Sequence, residues 1–475
     1  MKSAFLVSFL IGCAFLALIV GTHVWNSDLF YLEAVFRDLF HVAPFSDFHS
    51  IRQFHFSAST FLLPDMLLYF GLRMLTNQLN WVLLLYMSVQ FALMMAVFLT
   101  WFRGKPKWTI PLAALFFFSV FNQDWAVTFY PVNHSGQWIL GTLVLFLLGP
   151  LHQRNQKKIW ISALVAGFLF GSDILYGIIG WAPYCLLLAT NWRQQGDRRR
   201  IFRDLVWGLL TVTVAILVYF LFQKITGAHF GWNRPVFGDW NRARNFAGEL
   251  LQMNVFSTLL VGSVLILILR MKSDLVARYL LISTVICILA VVATGVWSDR
   301  TNFRYLCPLP FAVTYAWVCV LLSGLQNLKQ HNHHLLLVGT FIVLIIGTFA
   351  RATQLYRRQA YVSFIAEPYL SENACLDQFV RETHLNEGIS DYWAAKYLSF
   401  LAHEPVKIVQ VDDQLHPFYW VNNHDWYKNF HAQFAIVSFD GNRIATTELP
   451  ENRIAAPADI RDCGRFKIWV FAKPL

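Results

Sequence analysis
Apolar runs of 15 to 22 residues recur along the chain, separated by short polar loops. Runs of that length are what a helix needs to cross a bilayer. Spans are predicted over 4–25, 81–102, 109–121, 138–150, 159–171, 174–190, 205–222, 255–269, 279–296, 305–322 and 335–350. The first run lacks a small-x-small cleavage site behind it and reads as a retained helix rather than a signal peptide. The run 60–76, TFLLPDMLLYFGLRMLT, is apolar but carries Pro64, Asp65 and Arg73. From about residue 364 the pattern changes. Short β-rich runs at 406–411, 433–439 and 466–472 surround a helical pattern at 389–402, ISDYWAAKYLSFLA.

Charge then fixes a topology. Lys and Arg cluster in loops 103–107, 152–158, 191–203, 270–278 and 324–334, each pair separated by two spans. If these loops share the cytoplasmic face, as the positive-inside rule requires, the N-terminus is cytoplasmic. Loops 26–57, 122–137, 172–173, 223–254 and 297–304 then lie outside, as does the tail. Parity requires 60–76 to be interfacial or re-entrant, which leaves eleven spans. The rival, a full crossing by 60–76, would put every later basic loop outside. The expected fold is therefore an all-α polytopic membrane protein with about eleven transmembrane helices, spanning 1–350, and a soluble extracytoplasmic α/β domain over 364–475. A domain of roughly 110 residues can hold its own core.

Composition agrees. The chain is 56% hydrophobic and only 14% charged, against about 25% in soluble domains. Its net charge of +10 resides in the short loops, so it does not point to nucleic acid. Five of seven Cys sit in or beside apolar runs; Cys375 and Cys463 lie in the tail, either paired or as two buried thiols.

Candidate chemistry gathers on the outer face. Asp28 sits just past the first span, followed by Tyr31, Glu33, Asp38, His41, Asp47, His49 and His55. An acid at a membrane surface can serve as a general base or metal ligand, or as the polar face of an interfacial helix. Asp124 opens the second outer loop and can join Asp28; Asn133 and His134 follow in PVNHSG, where the His either orients a phosphate or sugar or packs the loop. Arg300 and Arg304, four residues apart in SDRTNFRYLCPLPF, suit bidentate phosphate binding or snorkelling. Loop 223–254 interleaves Lys224, His229, Arg234, Arg242 and Arg244 with Trp232 and Trp240, a mixture suited to an anionic headgroup or a sugar ring, or to an interfacial aromatic belt.

Together these features resemble glycosyltransferase superfamily C, the integral membrane enzymes that include protein O-mannosyltransferases, lipid A aminoarabinose transferases and oligosaccharyltransferases. Asp28 with Tyr31 matches that superfamily's early-loop catalytic Asp, and Arg304-Tyr305 with Pro308 its late-span Arg-Tyr pair. The segment HFSASTFLLPD departs from the superfamily's HPPL-like pattern, keeping His55 and Pro64, and Leu29 stands where a second acid is usual. The resemblance implies a polyprenyl-phosphate sugar donor, a glycan, glycolipid or protein acceptor, and a bacterial inner-membrane setting. It implies a catalytic role for Asp28 and contacts from Arg304 and Tyr305; with the loop residues read above, the expected site has Asp28 and Asp124 as catalytic groups and Glu33, His55, Asp65, His134, Arg300, Arg304 and Tyr305 on substrate, with a divalent metal left open. A flippase for lipid-linked saccharide, or a polysaccharide ligase or polymerase, are the alternatives; against the flippase, the spans show no internal repeat.

Overall fold
The computed structural model describes residues 9–10, 12–13, 30–40, 53–57, 59–106, 108–120, 129, 131–195, 197–226, 229–230, 240–252, 254–295, 304–326, 336, 338–344, 346–347, 371–412, 415–438, 457–464 and 466–474. The expected span 4–25 falls mostly outside these residues, and 335–350 is described in part, at 336, 338–344 and 346–347. Within them, helix α1 covers Tyr31–Phe40, strand β1 Phe54–Phe56, and α2 Leu67–Leu75 after a π turn at Leu62–Met66. The bundle continues with α3 (Leu79–Trp101), α4 (Thr109–Val120), α5 (Ser135–Leu148) and α6 (Gln156–Ser172). Then come α7 (Ile174–Trp192) and α8 (Arg198–Thr226).

Strand β2 is His229–Phe230, followed by α9 (Trp240–Gln252), α10 (Asn254–Arg270), α11 (Leu275–Thr294) and α12 (Pro308–Gln326). Five of the described helices are long and apolar enough to cross a membrane: α3, α7, α8, α11 and α12. The chain is an integral membrane protein. Burial sorts the helices: 72% of the apolar window of α12 is inside the protein but only 17% of that of α8, so α12 is central and α8 peripheral. Gly167 and Gly171 allow α6 to close on α8, because a Cβ at either would meet backbone carbonyls of Thr211 or Ala215. Trp207 Nε1 then donates to Ser162 Oγ at 2.9 Å across the same contact.

Helix α2, nine residues long, reaches only about 14 Å. That is short of the roughly 30 Å of hydrocarbon a spanning helix must cross.

Two expected loops are more ordered than their composition suggests. Helix α5 begins at Ser135, inside the expected loop 122–137, because Ser135 and Gln137 are polar yet buried against neighbouring helices. Loop 223–254 holds α9, an amphipathic helix that buries Phe246 and leaves Trp240 82% exposed.

The tail contains α13 (Ser371–Thr383), β3 (Glu387–Ser390), α14 (Tyr392–Leu401), β4 (Lys407–Gln410), β5 (Asn422–Asn423), β6 (Phe434–Ser438), β7 (Asp459–Asp462) and β8 (Phe466–Val470). Its sheet runs β4-β3-β6-β8-β7, parallel from β4 to β6 and antiparallel beyond. The β-rich runs at 406–411, 433–439 and 466–472 hold β4, β6 and β8. Cys375 and Cys463 form a disulfide with Cα atoms 5.7 Å apart, tying α13 to the end of β7.

A second sheet, β2-β1-β5, joins three distant parts of the chain: loop 223–254, the first outer loop and the tail. His55 pairs with His229 on one side and Asn422 on the other. The tail therefore rests directly on the segment 26–57 that holds β1.

Candidate active site
Helix α1 starts three residues after Asp28 and is clamped from both sides. Glu33 is fully buried. It accepts from Arg37 Nε at 2.8 Å, Arg73 Nε at 3.0 Å and Tyr69 hydroxyl at 3.1 Å. Two guanidiniums beside one carboxylate meet the condition a buried charge must satisfy. Arg37 also reaches the tail: its Nη2 donates to the Phe400 carbonyl at 3.3 Å and its guanidinium lies 4.5 Å from the Phe400 ring centre. One turn along, Asp38 accepts from Trp426 Nε1 at 2.9 Å and Asn423 Nδ2 at 3.2 Å. Burial pushes its carboxyl up to about 8, against those two hydrogen bonds. Glu33 is thus a brace between α1 and α2 rather than a group open to substrate.

A polar cluster is built where α5 begins and α6 ends. Asp173, fully buried, accepts from Ser59 Oγ at 2.7 Å and the Leu175 amide at 3.1 Å, and pairs with His134 Nδ1 at 2.8 Å. The Thr60 and Phe61 amides both donate to the Ser172 carbonyl, at 3.0 and 3.2 Å. These bonds stitch 59–61 to the end of α6. The His134 ring lies 5.1 Å from that of Phe61 and 5.3 Å from that of Tyr305, and the Arg304 guanidinium lies 5.2 Å from the Tyr305 ring centre. Phe61, Val132 and His134 all adopt positive φ, at 52°, 61° and 64°. Three non-glycine residues in that region around one cluster is strain of the kind that gathers at functional sites.

Asp65 lies behind this cluster. It is fully buried and accepts from Tyr86 hydroxyl at 2.5 Å and the Val132 amide at 2.9 Å. Burial raises its carboxyl to about 6. A Cβ at Gly136 would run into Asp65 Oδ1, Gln90 Nε2 and Pro64, so only glycine lets the start of α5 approach so closely. The sequence expects Asp65 on substrate; the structure has it facing protein, shaping the strained 132–134 turn.

His55 stands apart from the expected pattern too. It is part of the inter-domain sheet, its ring 6.4 Å from Trp420 and 6.3 Å from His424. In the tail, Trp426 is neither domain core nor a free sugar platform, since it is buried on Asp38. Arg242 Nη1 donates to the Gly295 carbonyl at 2.7 Å, tying α9 to the end of α11.

His134, Arg304 and Tyr305 are brought together as neighbours. Asp28, Asp124 and Arg300 lie outside the described residues. Among the described residues no group of three or more His, Cys, Asp or Glu is arranged to hold a metal ion. Sequence reasoning missed Asp173, although it noted the residue as the polar break between two spans. An acid in a two-residue gap between apolar runs, opposite a His in a neighbouring loop, is the signal that could have found it.

No protein-family model matches the chain, and no curated protein does. Among solved structures, ArnT from Cupriavidus metallidurans bound to undecaprenyl phosphate is similar to 99% of this chain, over 98% of its own, with a TM-score of 0.57 at 11% identity. The apo state of the same protein matches with a TM-score of 0.56 at 13% identity, covering 98% of each chain. From the first described helix to the last strand of the tail, this chain has the fold of those two structures.

Proposed function
We propose that the protein is a membrane glycosyltransferase that moves a sugar from a polyprenyl-phosphate donor to an acceptor hydroxyl on the extracytoplasmic face of a bacterial inner membrane. The observation that carries the reading is the match over nearly the whole of both chains to a structure bound to undecaprenyl phosphate. A donor of that kind suits an outward site, where nucleotide sugars are absent.

In this reading Asp28 takes the proton of the acceptor hydroxyl as its oxygen bonds to the sugar's anomeric carbon. The bond from that carbon to the phosphate oxygen breaks, the configuration inverts, and the polyprenyl phosphate departs with the electron pair. Arg304 and Arg300 stabilise the charge that develops on the phosphate. His134, held in place by Asp173 through Nδ1, adds an imidazole beside Tyr305 and Arg304. Asp124 flanks Asp28, and the tail, seated on the first outer loop, contributes to acceptor choice. The acceptor is a glycolipid, a glycan or a protein.

The test is transfer from a labelled polyprenyl-phosphate sugar in liposomes. Wild type should release polyprenyl phosphate and label the acceptor, and Asp28→Asn should abolish both. Donor movement across the bilayer without cleavage would replace the enzyme with a flippase.

A further inference from the structure
The end of the bundle remote from Asp173 holds a cavity of about 620 Å³, between the 150–156 turn and the start of α8. Four arginines line it: Arg154, Arg199, Arg200 and Arg203. Its volume is within the range of small-molecule sites, roughly 300–1,000 Å³. Helix α6 separates it from the candidate active site; its 17 residues put about 25 Å between them.

The cations are positioned rather than merely clustered. The Arg203 guanidinium donates from Nε at 2.9 Å and Nη2 at 2.7 Å to Asp204 Oδ1. Asp204 is itself 2% exposed and accepts from Trp192 Nε1 at 3.2 Å. The one acid on the wall among the described residues, Asp197, is engaged at the start of α8, where its Oδ1 accepts from the Arg199 and Arg200 amides at 3.0 and 3.4 Å. Among the described residues, four guanidiniums and one carboxylate line the cavity, with Asp204 beside Arg203, so its wall carries an excess of positive charge. Below it, α8 turns apolar side chains outward: Phe202, Leu205 and Leu209 are 69%, 53% and 69% exposed, at a spacing that puts them on one face. In a membrane protein that stripe meets acyl chains, so the anion site and the acyl surface belong to the same helix.

We propose that this cavity binds the headgroup of an anionic phospholipid, its phosphate diester on Arg199, Arg200 and Arg203 and its tails along Phe202, Leu205 and Leu209. Basic pockets at the ends of membrane helices recognise such headgroups. A soluble phosphate would satisfy the arginines but has no use for the apolar stripe. The site is separate from the donor site and does not depend on the sugar-transfer reading.

Native mass spectrometry of the full chain in detergent tests it, with phosphatidylglycerol, phosphatidylcholine and inorganic phosphate as probes. One phosphatidylglycerol should be retained saturably, and phosphatidylcholine should not compete. The pair Arg199→Gln and Arg200→Gln should weaken retention about 30-fold, at roughly one headgroup charge interaction per arginine. Arg154→Gln, a change at an exposed residue of the turn, should weaken it several-fold and guards against misfolding of the pair. Lys157→Gln with Lys158→Gln alters exposed cations on the same face that do not line the cavity, and should leave retention unchanged. Equal losses from the lysine and arginine changes would reduce the effect to diffuse attraction and overturn the proposal. So would indifference to headgroup. Displacement of the lipid by inorganic phosphate at matching occupancy would make the cavity a soluble-anion site and overturn the lipid assignment.

Discussion

The contact between α1 and the tail should weaken as pH rises, and one residue should account for it. Asp38 lies 2% exposed at the interface, with Trp426 and Asn423 donating to it, and burial pushes its carboxyl from an ordinary 3.8 up to about 8. Asp425 raises it further and Lys396 lowers it, both from the tail. Undocked, Asp38 regains its ordinary value, so between pH 4 and 8 the docked state holds a proton that the undocked state has lost. The docked state is therefore fully favoured below about pH 4 and loses that advantage as pH climbs to 8, by about 1.4 kcal/mol per unit. From pH 5 to 7.5 the loss is about 3 kcal/mol, on the order of a hundredfold in the docking equilibrium. Asp38→Asn removes the titration and flattens the slope. It also sets an amide N–H against one of the two donors. Asn423 cannot simply turn its amide over, because its Oδ1 already accepts from the Asp425 amide at 2.9 Å. The variant should therefore dock less tightly than wild type at pH 5, by about 1–3 kcal/mol, and approach it by pH 8. Hydrogen exchange of the amides in the β1–β5 ladder, corrected for intrinsic rate, reads the docking equilibrium directly. A wild-type protection that is flat or rises with pH, or an equal slope in Asp38→Asn, would refute the reasoning.

Three further outcomes can be checked. Gly136→Ala should destabilise the membrane part by about 1–3 kcal/mol through overpacking against Asp65 and Gln90, read as a lower melting temperature in detergent together with lost transfer. Asp173→Asn should lower kcat more than it raises KM for the donor, because it weakens the bond that holds His134; an unchanged kcat would confine Asp173 to structure. Cys375→Ser should cost the tail about 4.6 kcal/mol or less, the chain-entropy value for a closed loop of this size, since the cysteines lie 88 residues apart. That loss should appear as earlier proteolysis of 371–475 with the helices of 79–326 still protected.

Much of the fold was legible because bilayer physics constrains it so tightly. Runs such as 205–222 and 279–296 have no other home than lipid or a helical bundle, and Val/Ile/Phe-rich runs between turn residues announced β4, β6 and β8. The site was legible only in part. His134, Arg304 and Tyr305 stand out locally, being polar or aromatic groups where helices end, and the fold brings them together. Pairing over long sequence distances leaves no such mark. Nothing in the residues around Glu33 names Arg73 as its partner 40 positions away, nor Trp426 as the group that covers Asp38 from 388 positions away.

These invisible pairs decide which acids are open to chemistry. Loop 26–57 looks rich in candidates because every acid in it counts equally along the sequence. In three dimensions Glu33 is neutralised by two arginines and Asp38 is capped by the tail. The acids that follow Asp28 most closely in sequence are therefore spent on fixing α1, the helix that begins three residues after it. That division of labour explains why the tail, at the far end of the chain, should matter to the proposed transfer. By pairing β5 with β1 and burying Trp426 on Asp38, the tail anchors the helix that follows the candidate base. Deleting 364–475 should accordingly lower transfer even to a small acceptor that needs no recognition by the tail. Full activity on such an acceptor after deletion would show that α1 holds its place through Arg73 and Tyr69 of α2 without the tail.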